Sequence, residues 1–376
     1  MVAALLITLI PPLFFGGDFS FWLYEGLAIL IVGCPCALIL SSPIALLSGI
    51  TKNARKGVLI KGGAYLEALG NVNVLAFDKT GTITKGTPYV ESFKEYDREM
   101  MRIAGAIEQS SSHPLATAIV DKAKETMTEF PEVDEFETVS GEGIEAIVEG
   151  KAYWVGNEKM ARKINLLKDQ QEQISELKGR GNTIVLVGND TSLLGVFALA
   201  DEIRQESRSL IKELNEIGIN ETVMLTGDHE VSAKKVANEV GIKSFFANLL
   251  PAEKLEKVKS YGNRLAMVGD GINDAPALAT ANIGIAMGKG TDSAIETADI
   301  VLMQDHLGKL PESIKIARHV NKLIKINIGI ALALKAIALG LSLFGLLTLW
   351  FAILADMGAT IIVTLISLTV LYETKK

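Results

Sequence analysis

Sulfur and imidazole are scarce in this chain: 376 residues include two cysteines and four histidines, too few for a disulfide framework or an array of zinc fingers. Both cysteines fall in one CPC motif, at Cys34 and Cys36. With a rigid proline between them they are too close for an unstrained disulfide, so the redox compartment cannot be read from them. Positive charge is not in excess either. A formal net charge of −7, with no basic stripe, leaves nothing to displace counterions from phosphates, which excludes a nucleic-acid partner. Internal repeats and low-complexity tracts are absent.

Apolar residues are plentiful instead, at 49% too many for an ordinary soluble chain of this length. They gather at the two ends, whereas the centre, from about Thr51 to Lys322, carries most of the charge, glycine and turn residues. The pattern predicts four membrane spans, near 2–15, 21–49, 323–344 and 347–371. The first is shorter than the roughly 20 residues a crossing needs and reads as a span that has lost its beginning. It has no basic flank of the kind a signal peptide carries. Lys52, Arg55, Lys56, Lys61, Lys322 and Lys325 border the centre, while the Gly16-Gly17-Asp18 and Phe344-Gly345-Leu346 turns carry no basic residue. Basic loops stay inside, so the soluble centre is expected in the cytoplasm; the expected setting is a multi-pass protein in the lipid of the plasma membrane.

Three apolar runs in the centre each end in aspartate: VNVLAFD at Asp78, TVMLTGD at Asp228 and RLAMVGD at Asp270. Helical patterns separate them, which predicts a parallel α/β sheet. The first is followed by a long excursion containing strands such as NTIVLVG, read as an inserted domain. Ligands bind an open α/β sheet at the carboxyl ends of its strands, so Asp78 should face the crevice.

A carboxylate attacks phosphorus only if its charge repulsion is cancelled by a divalent cation and fixed donors. In FDKTGTIT, the amides of Lys79-Thr80-Gly81 and the Thr80 hydroxyl are candidate donors. GDGIND brings Asp270 to a second strand end, where Asp78, Asp270 and Thr80 would share one Mg²⁺, with Asn273 and Asp274 following. TGD, at Thr226, Gly227 and Asp228, adds a hydroxyl and amides for phosphoryl oxygens, and Lys254 adds a positive charge. A single aspartate at a strand end more often caps the next helix; DKTGT followed by GDGIND is specific.

The chain resembles the P-type ATPases in these motifs and along its whole length. That resemblance implies a haloacid-dehalogenase-like phosphorylation domain in which ATP phosphorylates Asp78, surrounded by Thr80, Thr226, Lys254, Asp270 and Asp274, with Asp201 and Arg204 on the returning hinge strand. In the inserted domain, His113 of SSSHPLA, Glu108, Gly141, Gly143, Gly156 and Asn157 look like the ATP contacts of the heavy-metal branch. Taken alone, one histidine is more often structural.

Two cysteines in an apolar helix are, on composition alone, small hydrophobes. With Pro35 opening the helix, and with the ATPase motifs downstream, CPC resembles the transport site of heavy-metal P-type ATPases. Lys335 and Asp356 are charges at membrane depth, costly unless paired, at similar distances either side of a turn. Two thiolates and a carboxylate suit a divalent soft ion, so Cys34, Cys36 and Asp356 are the expected ligands of Zn²⁺, Cd²⁺ or Pb²⁺, with Lys335 as counter-charge. A plain Lys-Asp helix clasp is the alternative.

The expected fold class is therefore multi-domain: transmembrane helices, a haloacid-dehalogenase-like α/β phosphorylation domain and an inserted α+β nucleotide-binding domain. The boundaries expected are 1–50 for two membrane helices, 51–87 for a linker and the start of the phosphorylation domain, 88–200 for the nucleotide domain, 201–320 for the remaining phosphorylation domain and 321–376 for two more membrane helices. No TGE motif occurs, so an actuator domain and earlier membrane helices are expected from the rest of the polypeptide. Competing readings are a copper(I) or silver exporter, a non-pumping fragment that binds ATP and phosphorylates itself, and a membrane-tethered phosphatase. A phosphatase of this sheet family would place a general acid where Thr80 stands.

Overall fold

The computed structural model describes residues 2–34, 36–111, 113–271, 274–343 and 348–372. It divides into two compact units, Met1–Val72 with Asp299–Lys376, and Asn73–Ala298.

In the second unit, five parallel strands run in the order Ile283–Met287, Leu265–Gly269, Val74–Asp78, Glu221–Leu225, Ser244–Phe246. The central strand is apolar on both faces, and Leu75, Ala76 and Phe77 are fully buried, as a parallel sheet covered by helices requires. Asp78 is in register with Leu225, and Phe77 with Val268. Because the strands are parallel, the aspartate-bearing ends of all three share one edge. Helices Glu206–Glu216, Glu230–Val240 and Pro251–Ser260 supply the crossovers.

The chain leaves this sheet at Thr84 and returns at Ile203 through an antiparallel pair, Thr84–Glu95 with Leu193–Ile203. That pair begins a six-stranded antiparallel sheet continued by Thr183–Asn189, Lys151–Gly156, Gly143–Val148 and Val133–Val139. Alternate residues supply two cores. Val185 and Val187 join Ile103, Ile107, Ile119 and Phe197 on one side, and Leu186 joins Trp154, Met160 and Ile174 on the other.

The first unit holds helices Val2–Phe15, Phe19–Gly33, Cys36–Arg55, Gly63–Gly70, Lys309–Leu343 and Leu349–Leu368, with an antiparallel pair Val58–Ile60 and Ile300–Leu302. Three stretches are long and apolar enough to cross a membrane: Phe19–Arg55, Lys309–Leu341 and Trp350–Leu371. Val2–Phe15 is helical but, at 14 residues, short of a crossing. Four spans were expected, and by length and composition three qualify among the described residues. Leu13, Phe14, Trp350 and Leu354 are each at least 70% exposed, which is how a lipid-facing surface looks without its lipid. The helix of the third predicted span starts earlier than expected, at Lys309, because Leu310, Ile314, Ala317 and Val320 form a buried stripe at helical spacing.

Candidate functional site

Strand ends bring three carboxylates together. Oxygens of Asp78, Asp270 and Asp274 all lie within 4.8 Å of one another, the one such group of potential metal ligands among the described residues. Lys254, from helix Pro251–Ser260, is buried between two of them, its Nζ donating to Asp78 Oδ1 at 2.6 Å and to Asp274 Oδ1 at 2.5 Å. Burial first, then Asp274, pushes the Asp78 carboxyl up to about 7; Lys254 opposes this and Asp270 adds to it. Burial pulls the Lys254 ammonium down, but Asp78 and Asp274 outweigh it and hold it up.

The loop after Asp78 is fixed from several sides. Gly81 adopts φ +69°, and a Cβ there would sit 2.1 Å from Asp270 Oδ2, so only glycine lets the loop lie against that carboxylate. Gly271 has φ +90°, where a Cβ would overlap Ala294. Arg204 Nε donates to the carbonyls of Thr82 (2.8 Å) and Thr84 (3.2 Å), and its Nη2 to that of Gly81 (2.9 Å). Lys79 is buried and pairs with Asp228, and Thr84 Oγ1 donates to Asp201. Thr226 is buried and its Oγ1 accepts from the Asp228 amide at 3.1 Å; Gly227 follows it directly, and a Cβ there would lie 3.3 Å from the Leu249 carbonyl. Thr80 is exposed and lines a cavity of about 560 Å³ with Lys79, Asp201 and Asp228. Asn273 lies outside the described residues.

All six residues expected to contact ATP, Glu108, His113, Gly141, Gly143, Gly156 and Asn157, line one cavity of about 810 Å³ in the inserted domain. A Cβ at Gly143 would lie 2.2 Å from the Val155 carbonyl, and one at Gly156 2.4 Å from that of Glu142. The two strands therefore meet backbone to backbone, and Asn157 Nδ2 ties the Gly141 carbonyl at 2.9 Å. His113 caps helix Pro114–Lys124, its Nδ1 accepting from the Leu115 amide at 3.2 Å, which puts the ring proton of the neutral form on Nε2. Burial alone pushes the Glu108 carboxyl up to about 7. His113, Pro114, Leu115 and Thr183 line both cavities, so the slot and the cavity beside the Asp78 loop share one wall.

In the first unit, Lys335 Nζ donates to the carbonyls of Val32 (2.9 Å) and Cys34, and stands 3.8 Å from Asp356 Oδ1. That oxygen is buried with no hydrogen-bond partner. Val32, Lys335, Ala338, Ala352 and Asp356 line a small pocket. One expectation is corrected here: the sequence argued against a bridge between Cys34 and Cys36, and the structure joins their sulfurs, with Cα atoms 5.6 Å apart. The helix ends at Gly33, Cys34 is extended (φ −69°, ψ 121°) and helix resumes at Cys36; this break turns both sulfurs the same way. Cys34, Cys36 and Asp356 do not form a converged set of three ligands in this state. Pro35 and the Phe344-Gly345-Leu346 turn lie outside the described residues.

Residues 72–282 match the model of the haloacid dehalogenase-like hydrolases, more than half the chain. A catalytic domain of the CPx-ATPase CopB-B superposes with a TM-score of 0.60 at 32% identity, covering 71% of this chain and 98% of that one. The chain belongs to the haloacid dehalogenase-like hydrolases and, within them, to the heavy-metal P-type ATPases. More particularly, it is similar to a probable cadmium-transporting ATPase of Staphylococcus aureus strain MRSA252 (46% identity over 98% of this chain and 53% of the relative). It is also similar to the zinc/cadmium/lead-transporting P-type ATPase of Escherichia coli K12 (45%, 97% and 50%). A crystal structure of a zinc-transporting PIB-type ATPase in its E2.Pi state has a TM-score of 0.86 at 44% identity, over 99% of this chain and 62% of that one. The chain spans about half the length of the curated relatives it matches.

Proposed function

We propose that this chain is the catalytic and ion-binding portion of a pump that exports Zn²⁺, Cd²⁺ or Pb²⁺ from the cytoplasm, driven by ATP through an aspartyl phosphate on Asp78. The observation that carries this reading is that the glycine-lined slot adjoins the cavity beside the Asp78 loop, with His113, Pro114, Leu115 and Thr183 as their common wall. In it, the base of ATP occupies the slot near Glu108, Gly143 and Gly156, with His113 at the shared boundary. The triphosphate extends toward Asp78, whose carboxylate oxygen bonds to the γ-phosphorus as the bond to the ADP oxygen breaks. Lys254, the Thr226 hydroxyl and the amides of the Thr80-Gly81 loop hold the phosphoryl oxygens.

The acidic cluster fits a divalent cation by charge: three carboxylates against one ammonium leave two negative charges in a buried site. Asp78 and Asp270, with Thr80, would hold Mg²⁺, which supplies cancellation of the repulsion between carboxylate and phosphate. The pKa of Asp78, raised to about 7 by burial and its acidic neighbours, supports the same need for a cation.

The transported ion is assigned to Cys34, Cys36 and Asp356, with Lys335 as counter-charge. Only the reduced pair offers thiolates, so the ion is assigned to the reduced cysteines. The buried, unbonded Asp356 oxygen supports a ligand role over a plain helix clasp. Basic residues bordering the soluble centre support its placement in the cytoplasm, and the membrane is assigned as the plasma membrane. Dephosphorylation is assigned to the part of the pump that this chain does not span.

Acid-stable, hydroxylamine-sensitive label from γ-labelled ATP tests the reading. Label should depend on Zn²⁺ or Pb²⁺ under reducing conditions and vanish in Asp78→Asn; persistence of the label in that variant sinks the proposal. Survival of metal-dependent label in Asp356→Ala, with loss on either cysteine substitution, would turn the assignment to copper(I).

A further inference from the structure

The six-stranded sheet hangs on two strands, Thr84–Glu95 and Leu193–Ile203, which by themselves leave it room to swing. A further tie reaches the parallel sheet's layer of helices, well away from the hinge. Glu91 lies on strand Thr84–Glu95, roughly 20 Å along it from Thr84. Its two carboxylate oxygens accept from Lys235 Nζ at 3.0 and 3.1 Å, and one of them also accepts from the Asn182 amide group. Lys235 stands on the crossover helix Glu230–Val240, and Asn182 directly precedes strand Thr183–Asn189 of the six-stranded sheet.

The tie is more than an ion pair. A solvent-exposed Lys–Glu pair contributes little, and both of these side chains are partly exposed. Here the carboxylate is shared with a buried amide, since Asn182 is 9% exposed. Burial works to raise the Glu91 carboxyl, but the hydrogen bonds from Asn182 and Lys235 outweigh it and hold it below its ordinary range. Backbone also closes on backbone beside the pair. Gly181, at φ +85°, lies so near the start of the helix that a Cβ there would stand 3.1 Å from Ser232 Cα and 3.2 Å from the Val231 carbonyl oxygen.

The tie ends at the wall that the two cavities share. Thr183, next after Asn182, lines both, and Gly181, Glu91, Ser232 and Lys235 line the one beside the Asp78 loop. Contacts that fix the angle of the six-stranded sheet therefore also fix where the glycine-lined slot opens relative to Asp78. We infer that Glu91, Lys235 and Asn182 form a positioning strut, which holds the inserted domain at the angle from which a nucleotide in the slot reaches Asp78. They act through the slot and not on the reacting atoms. This inference rests on the function proposed above.

The test uses the full-length protein, with the initial rate of labelling from γ-labelled ATP and the binding of ADP by calorimetry measured side by side. Lys235→Glu and Glu91→Lys each set like charges against one another, and each should slow labelling about tenfold. The affinity and stoichiometry of ADP should stay within about twofold, because the slot residues all lie in the inserted domain. The double variant Glu91→Lys/Lys235→Glu rebuilds the pair with its signs exchanged, Asn182 turning its carbonyl oxygen to the new lysine, and should label within about threefold of the parent. A merely structural role would lower ADP stoichiometry together with labelling, and that result overturns the inference. Single variants that label within about twofold of the parent overturn it as well, and so does faster labelling, which would make the contact a brake. Losses that multiply in the double variant, without rescue, overturn the pairing on which the strut depends. A parent protein that binds ADP yet forms no phosphoenzyme sinks the pump reading and the strut together.

Discussion

The molecule builds two buried lysine–carboxylate arrangements, one at the end of the parallel sheet and one among the apolar helices, and they are finished to different degrees. Lys254 is closely paired: two carboxylates accept hydrogen bonds from its ammonium at 2.6 and 2.5 Å. Lys335 gives hydrogen bonds to two backbone carbonyls and stands 3.8 Å from Asp356, leaving Oδ1 buried without a hydrogen bond. A closed arrangement fixes a reaction centre whose atoms must not drift. An open one holds a carboxylate in readiness for a visitor and lets the ammonium exchange partners. The first suits a group that reacts, the second a group that binds and lets go.

Removing each lysine should separate the two roles. Lys254→Met leaves two facing carboxylates buried without their cation, and phosphoenzyme formation should drop about 10²–10³-fold, read as initial rate from labelled ATP. Lys335→Met should act more gently: metal-stimulated phosphorylation stays within about fivefold, while steady-state ATP turnover by the full-length protein falls about tenfold. Comparable losses in both variants would erase the distinction. Gly81→Ala sharpens the closed side. Its Cβ must displace Asp270 Oδ2 and hold φ +69°, so phosphorylation should slow about tenfold, with a loss of about 1–2 kcal/mol in unfolding free energy.

Glu108 is a third case, a buried carboxyl for which burial is the sole cause of a pKa near 7 against an ordinary 4.5. The folded state holds this proton more tightly, so its contribution is complete below about pH 4.5 and is lost as pH rises through 7. The slope is at most ~1.4 kcal/mol per pH unit, or ~3 kcal/mol in all. Chemical denaturation at pH 5 and 8 should show that difference in the parent and a flatter profile in Glu108→Gln.

Local patterns carried much of this in the sequence. Through the family resemblance, His-Pro, Gly-x-Gly and Val-Gly-Asn pointed to ATP contacts, and their residues line one cavity, where Gly143 and Gly156 let two strands meet backbone to backbone. Strand-end aspartates were legible because parallel strands put their carboxyl ends on one edge. Pairings across long separations were not. Arg204 could be read as a hinge residue, but its three bonds to the loop that starts after Asp78 depend on how Thr84–Glu95 and Leu193–Ile203 close against each other. The joined sulfurs of Cys34 and Cys36 escaped notice because spacing alone ignores how far the extended Cys34 swings the chain out of its helix.

Arg204 also gives the inserted domain a grip on the chemistry. The paired strands are the sole covalent route into and out of that domain, and the guanidinium at their base holds the carbonyls of Gly81, Thr82 and Thr84. Any swing of the six-stranded sheet about this hinge must tug the backbone next to Asp78. On the proposed function, arrival or departure of a nucleotide far out in the slot would thereby be felt mechanically at Asp78, as movement at the long arm of a lever is felt at its fulcrum.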